Sequence, residues 1–131
     1  SVMAIYHFAR LLNITVAIIT CREGTKDNIE TTQQTLQVFG LTEIELYYFR
    51  KPNDNNYRKF KNSSRINIHK RGYNIIMCVG DQDWDMKGDY TGIGIKLPNL
   101  HKSNSPSQML ENGNICSIEK VFCKNCLDIF K

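Results

Sequence analysis

Residues 74–85 read NIIMCVGDQDWD, an apolar run that ends in three closely spaced carboxylates. The run predicts a short strand covered on both faces, as strands of parallel sheets are. Carboxylates beside a buried strand are costly to desolvate unless a cation or hydrogen-bond donors compensate them. The spacing of Asp81 and Asp85 therefore indicates a Mg²⁺ site at the end of this strand. The alternative is a solvated acidic turn that caps a following helix.

The rest of the chain alternates between helix and strand patterns. Helical spacing of apolar residues predicts helices at 2–12, at 27–39 with Asp27 as N-cap, and from Tyr57 to Gly72. Continuous apolar or β-rich runs predict further strands at 14–20, 44–49 and 92–97. Such alternation predicts right-handed βαβ units, a mostly parallel sheet in an α/β fold, and a ligand site at the carboxyl ends of the strands. Thr20 and Asp81 should meet at that edge.

Composition bounds the possible partners. The 131 residues fit one domain or part of one, and the net charge of +4 is too small to indicate nucleic acid. Between residues 50 and 71 one acid accompanies eight basic residues: Arg50, Lys51, Arg58, Lys59, Lys61, Arg65, Lys70 and Arg71. Such a stretch is typical of a solvated face, or it could neutralise a phosphorylated substrate. No nucleic-acid module is recognisable, which argues against that partner. No apolar stretch approaches the ~20 residues of a membrane span.

The C-terminal part differs in character from the rest. Residues 1–100 form the predicted core, whereas 101–131 comprise a polar linker and a tail that contains cysteines and could form a short helix or strand. Cys116, Cys123 and Cys126, with His101, could supply zinc ligands, but free thiols or a local disulfide are favoured because no fourth ligand lies nearby. Cys21 and Cys78 lie in or beside apolar runs and are predicted to be buried thiols.

An ordered series of short motifs runs through residues 1–100. Thr20-x-Arg22-Glu23 follows the first strand, Lys61-x3-Arg65 lies in the third helix, and Gly80-Asp81-Gln82-x-x-Asp85 follows the third strand; then comes Lys96-Leu97-Pro98-Asn99. The series resembles the haloacid-dehalogenase (HAD) superfamily, and within it the branch of plant acid phosphatases, vegetative storage proteins and class B-like acid phosphatases. The resemblance implies a Rossmann-like three-layer sandwich.

The resemblance also implies roles for individual residues. Thr20 and Lys61 would be the catalytic pair that holds the phosphoryl group and stabilises its charge, with Arg22 and Arg65 completing the phosphate-binding set. Asp81 would bind Mg²⁺, and Asp85 would be the second acid. The implied activity is Mg²⁺-dependent hydrolysis of a phosphomonoester through an aspartyl-phosphate.

One expected motif is missing from these 131 residues. The family begins with Asp-x-Asp at the end of a central first strand, and no Asp precedes Thr20. The strands at 14–20 and 74–79 should then face a gap with unpaired edges, so the isolated chain is predicted to be unstable and inactive. An upstream segment of the same gene product, or another chain, is expected to supply the missing strand. The alternative is an inactive HAD-like structural, storage or virion-associated protein.

Overall fold

The computed structural model describes residues 2–98 in full and the backbone of 118–125. Within these ranges the helices are α1 (Val2–Leu11), α2 (Lys26–Val38) and α3 (Tyr57–Lys70). The strands are β1 (Thr15–Glu23), β2 (Leu46–Arg50), β3 (Tyr73–Gly80), β4 (Ile93–Lys96) and β5 (Ile118–Asn125). A single 3₁₀ turn, Asp83–Asp85, follows β3.

The five strands form one sheet in the order β2-β1-β5-β3-β4. β1 pairs with β2 and β3 pairs with β4 in parallel, whereas β5 runs antiparallel to both β1 and β3. The four other strands therefore all point the same way, and their carboxyl ends share one edge. This arrangement confirms the predicted α/β class.

The centre of the sheet differs from the sequence-based expectation of a gap. β5 occupies the position between β1 and β3, with Val16 opposite Phe122 on one side and Cys78 opposite Val121 on the other. The physical reason is that the inner edges of β1 and β3 carry unpaired backbone groups, which a third strand can satisfy. The tail was expected to form a helix or a strand, and its described residues, Ile118–Asn125, form a strand.

Helices cover both faces of the sheet. Alternate residues of β1 face opposite ways: Val16 and Ile18 pack in one apolar cluster with residues of α1 and α2, such as Tyr6 and Leu36. On the other face, Ile19 packs with Ile68 of α3. The result is a three-layer arrangement in which β1 is buried from Val16 through Cys21, as its continuous apolar run predicts.

Two local expectations need correction. β1 does not end at Thr20 but continues to Glu23, with an irregularity in its pairing to β2 between these residues. The N-cap of α2 is Thr25 and not Asp27, because the Thr25 hydroxyl accepts a hydrogen bond from the Asn28 N–H at 3.2 Å. Asp27 lies in the first helical turn, where the helix dipole favours a carboxylate.

Removing β5 tests its contribution to the sheet. A chain that ends at Pro98 should expose the inner edges of β1 and β3 and therefore aggregate or unfold, whereas a chain that ends at Asn125 retains the central strand. Size-exclusion chromatography and circular dichroism of the two chains provide the measurement. Two equally monomeric and folded chains would show that β5 contributes little to the sheet.

Gly92 provides a second test, of packing beside β3. A Cβ at Gly92 would overlap the backbone of Ile76, whereas a Cβ at Gly72 meets no atom within 4 Å, and both residues have positive φ (60° and 93°). An alanine at either position would be strained by the positive φ, so the two variants differ only in the overlap at Gly92. Gly92→Ala should therefore lower the free energy of unfolding by about 1–3 kcal/mol more than Gly72→Ala does. Urea unfolding of both variants measures the difference, and equal losses would contradict the close approach.

Candidate functional site

A buried ion pair lies at the carboxyl edge of the sheet. Lys61, on the second turn of α3, donates from Nζ to the carbonyl oxygen of Ile19 at 2.7 Å and lies 3.0 Å from Oδ1 of Asp85. Both side chains are fully buried. The pair therefore connects the end of β1, the helix α3 and the 3₁₀ turn after β3. The sequence analysis named both residues but did not foresee that they bind each other.

Asp85 is held from a second direction as well. Its Oδ2 accepts a hydrogen bond from the Gln82 N–H at 3.1 Å. A Cβ at Gly80 would overlap the same carboxylate, so the position requires glycine for this close approach. The carboxylate of Asp85 is thus engaged inside the protein. Its predicted role as a second metal ligand stays a prediction.

Arg65 contacts the loop after β3. Its guanidinium donates to four backbone carbonyls at 2.6–3.4 Å, those of Trp84, Asp85, Lys87 and Asp89. The side chain is fully buried. These hydrogen bonds, and not an exposed anion site, account for the position of Arg65 in the structure. Its main visible effect is to hold the loop that carries Asp81 and Trp84, and the predicted phosphate contact stays a prediction.

Asp81 is the site carboxylate with an unused buried oxygen. Its Oδ1 is buried and accepts no hydrogen bond from the described residues. A lone carboxylate oxygen of this kind fits Mg²⁺, which proteins commonly bind through one or two carboxylates together with substrate phosphate and water. Among the described residues no group of three or more His, Cys, Asp or Glu could hold a metal ion. Metal binding at Asp81 therefore stays a prediction, in which this one carboxylate would be a ligand of the ion.

Thr20 lies at the irregularity near the end of β1 and is fully buried. Its hydroxyl accepts a hydrogen bond from the Arg22 N–H at 3.2 Å, and β5 pairs opposite it at Ile118. Arg22 donates from Nη1 to the Thr32 hydroxyl on α2 at 3.0 Å. Because Lys61 binds the carbonyl of the neighbouring Ile19, the structure brings Thr20 and Lys61 to the same strand end. With β5 beside it, however, Thr20 is enclosed.

The basic stretch 50–71 does not form one exposed face. Three of its eight cations, Arg50, Lys61 and Arg65, are buried. Arg50 donates to the carbonyls of Cys21 at 2.8 Å and Asp54 at 2.7 Å, and so ties the end of β1 to the loop after β2. These three cations therefore form hydrogen bonds inside the protein and are not part of an exposed basic surface. A nucleic-acid surface would need these charges exposed.

Sequence reasoning assigned no role to Trp84, although it stands inside the acidic cluster. The centre of its ring lies 6.5 Å from the centre of the Tyr57 ring and 6.0 Å from the guanidinium carbon of Arg58. Its indole Nε1 is buried without a hydrogen-bond partner in the part of the chain that the structure describes. The signal that could have identified it is a single tryptophan within a carboxylate turn at a strand end.

Other predicted features lie elsewhere. Cys21 and Cys78 are buried, as predicted. His101, Cys116 and Cys126, and the side chain of Cys123, for which free thiols or a local disulfide were favoured over zinc binding, lie outside the described residues. Within the described ranges no helix has the length and apolarity needed to cross a bilayer.

Comparison with known proteins identifies several plant proteins of similar sequence. The chain is similar to vegetative storage protein 1 of Arabidopsis thaliana (31% identity, 70% of this chain and 34% of the relative) and to vegetative storage protein 2 of the same plant (30%, 73% and 37%). A stem 31 kDa glycoprotein of Glycine max is 26% identical over 94% of this chain and 44% of the relative. The chain therefore spans less than half the length of these relatives. No solved structure matches it significantly.

The family comparison covers most of the chain. The model of the HAD superfamily, subfamily IIIB (acid phosphatase), matches residues 1–104, a range that contains Lys61, Asp81 and Asp85. The chain therefore belongs to the subfamily IIIB acid phosphatase family of the HAD superfamily.

Proposed function

We propose that this chain provides the phosphate- and Mg²⁺-binding part of a phosphomonoesterase that works through an aspartyl-phosphate. The observation that carries the proposal is the position of Lys61, whose ammonium joins the carbonyl beside Thr20 to the turn that follows Asp81. Family membership supports the same reaction class. A cation, a hydroxyl and a carboxylate at one sheet edge are the groups needed to bind and neutralise a phosphoryl group.

The roles of the residues follow from their chemistry. The ammonium of Lys61, held by two partners and fully buried in this chain, would stabilise negative charge on the phosphoryl oxygens once the end of β1 is uncovered. Asp81 would hold Mg²⁺ through its unpaired oxygen, and the bound ion would supply further positive charge to the phosphate. The Thr20 hydroxyl would donate to a phosphoryl oxygen once its end of β1 is uncovered.

The nucleophile must come from elsewhere, because no Asp precedes Thr20 in these residues. In this proposal an upstream segment or another chain provides a strand parallel to β1 and β3 and takes the position of β5. A parallel strand would end at the site edge and deliver its carboxylate there. With β5 in place, the 131-residue chain alone should be inactive.

A second candidate function is that of a catalytically silent storage or structural protein. It is favoured by the relatives named vegetative storage proteins and by the enclosed position of Thr20. The two candidates differ in what the coding sequence upstream of Ser1 contains. An Asp-x-Asp motif in a predicted strand there favours the phosphatase, and its absence favours the storage protein.

The role of Asp81 is tested in the product of the complete gene. Hydrolysis of 4-nitrophenyl phosphate should require Mg²⁺, and Asp81→Asn should lower kcat/KM about a hundredfold or more, because the metal ligand is lost. Asp27→Asn, in the exposed first turn of α2, is the matched control and should keep full activity. Equal activity of the two variants would refute the role of Asp81. A folded wild type without activity would favour the storage function.

The Lys61–Asp85 pair makes a prediction about stability that is separate from activity. Lys61→Met should lower the free energy of unfolding by about 3–5 kcal/mol, because it leaves a buried carboxylate without its cation. The double variant Lys61→Met with Asp85→Leu should recover much of this loss yet remain inactive. Denaturant unfolding of the two single variants and the double variant gives the coupling energy. Additive losses would show that the two residues do not interact.

A further inference from the structure

The central strand β5 carries charges along its length, unlike the strands on either side of it. Its residues read IEKVFCKN, so Glu119, Lys120 and Lys124 are charged. β3 has no charged residue, and β1 has its two charged residues only at its end. A strand covered by helices on both faces is normally apolar, because a charge there loses its hydration. The composition of β5 is therefore unfavourable for the position that it occupies.

The register shows where the middle charge of β5 lies in the sheet. Lys120 is opposite Ile18 of β1 and opposite Val79 of β3. Both neighbours are fully buried and belong to the apolar cluster that α1 and α2 cover. A lysine at such a register position is unfavourable unless an anion accompanies it. The backbone pairing of β5 must therefore offset an unsuitable residue at its centre.

That backbone pairing is irregular on one side. Toward β3, Cys123 lies opposite Ile75 and Phe122 lies opposite Met77, so the register passes over Ile76. A bulge of this kind leaves one residue out of the ladder. β5 also runs antiparallel to β1 and β3, each of which pairs with a parallel strand on its other edge. An apolar parallel strand would match this position better than β5 does.

We propose that β5 is an exchangeable inhibitory strand, which competes with the catalytic strand of the complete protein for the position between β1 and β3. The inference rests on the proposed function, since it assumes that a parallel strand delivers the nucleophile to this edge. It goes further by naming how the site is regulated and which segment of this chain regulates it. The site is closed while β5 lies in the sheet and open when β5 has left.

The direction of β5 explains why it inhibits. Because the strand is antiparallel, its first residue, Ile118, lies at the carboxyl edge, opposite Thr20. With β5 in place, Thr20 and Lys61 are both fully buried. Phosphate therefore reaches neither group, and the position from which a parallel strand would present its carboxylate is filled.

The register also places an acidic residue of β5 beside the cation of the site. Glu119 lies opposite Ile19, and the carbonyl oxygen of Ile19 accepts the hydrogen bond from Lys61. A carboxylate has the same sign of charge as a phosphoryl group and binds the same cationic donors. β5 therefore competes with the substrate for the site as well as with the catalytic strand for the sheet.

A reversible crosslink tests the exchange in the complete gene product. Thr15 lies opposite Cys123, and Cα atoms of opposite residues in antiparallel strands are about 4.5–5.5 Å apart, which suits a disulfide. Thr15→Cys should therefore allow a disulfide with Cys123 that locks β5 into the sheet, at the end of β1 remote from Thr20. Oxidised glutathione should then lower kcat/KM for 4-nitrophenyl phosphate about tenfold or more, and dithiothreitol should restore it.

Controls separate the lock from other effects of oxidation. Thr15→Cys combined with Cys123→Ser cannot form this crosslink and should keep its activity under the same oxidising conditions, as should the wild type. Mass spectrometry of proteolytic peptides verifies the disulfide. Isothermal titration with inorganic phosphate gives a measurement that needs no catalysis: the reduced variant should bind phosphate, and the crosslinked variant should not.

Changes within β5 should shift the exchange in opposite directions. Lys120→Leu removes the unfavourable charge, so it should stabilise β5 in the sheet and lower kcat/KM about threefold to tenfold. A complete gene product that ends at Ser117 lacks β5 and should have a higher kcat/KM than the wild type. Lys26→Leu, at the exposed start of α2, is the matched control and should change kcat/KM less than about twofold.

The outcomes distinguish this inference from the proposed function. Equal activity and phosphate binding of the crosslinked and reduced variant overturn the inhibitory strand and leave the phosphatase proposal standing. Failure of the crosslink to form in an active protein has the same meaning, as does a kcat/KM of Lys120→Leu equal to or above that of Lys26→Leu. A folded complete product that neither binds phosphate nor hydrolyses the substrate in any of these forms overturns both.

Discussion

The ion pair between Lys61 and Asp85 is the interaction on which the carboxyl edge of the sheet depends. It is fully buried, and desolvation of two charges is repaid only when the geometry is good and other hydrogen bonds assist. Both conditions hold here, because Lys61 also binds the Ile19 carbonyl and Asp85 also accepts from Gln82. The loop after β3 is thereby fixed against β1 and α3, and with it the positions of Asp81 and Trp84.

The second constraint is the central position in the sheet. Four strands run in the same direction, and β5 lies antiparallel between them. Its pairing with β3 is irregular between Ile75 and Met77, and on the other side its first residue, Ile118, lies opposite Thr20. β5 therefore satisfies the backbone of its neighbours while it encloses a hydroxyl that the proposed chemistry needs. A parallel strand in the same place would satisfy the same backbone groups and leave its carboxyl end at the site.

The sequence was sufficient to predict the elements whose signals are local. Continuous apolar runs located β1 and β3, and helical spacing located α1 to α3. The N-cap of α2 was misplaced by two residues because Thr25 and Asp27 are both good caps, and only the backbone geometry decides between them. The position of β5 could not be predicted, because an apolar pattern does not specify which strand edge it pairs with.

The partners of charged residues were equally beyond a sequence-based prediction. Arg65 and Lys61 lie four residues apart on α3 in the same motif, yet one binds loop carbonyls and the other binds a carboxylate. A basic residue on a helix can bind a carboxylate, a ligand or a backbone carbonyl, and the tertiary fold determines which of these partners lies within its reach. The motif therefore picked out residues that lie together at one edge of the sheet, but it did not predict which partners each of them binds.

This division bears on the choice between an enzyme and a storage protein. A protein that had lost catalysis would still need Lys61 and Asp85, because removing either one leaves a buried charge. Arg65 would persist for the loop that it holds. Asp81 differs, since its buried oxygen has no partner among the described residues and folding gains nothing from it. An unsatisfied buried carboxylate oxygen is unfavourable unless a cation binds it. The presence of Asp81, and not that of Lys61, therefore distinguishes an enzyme from a storage protein.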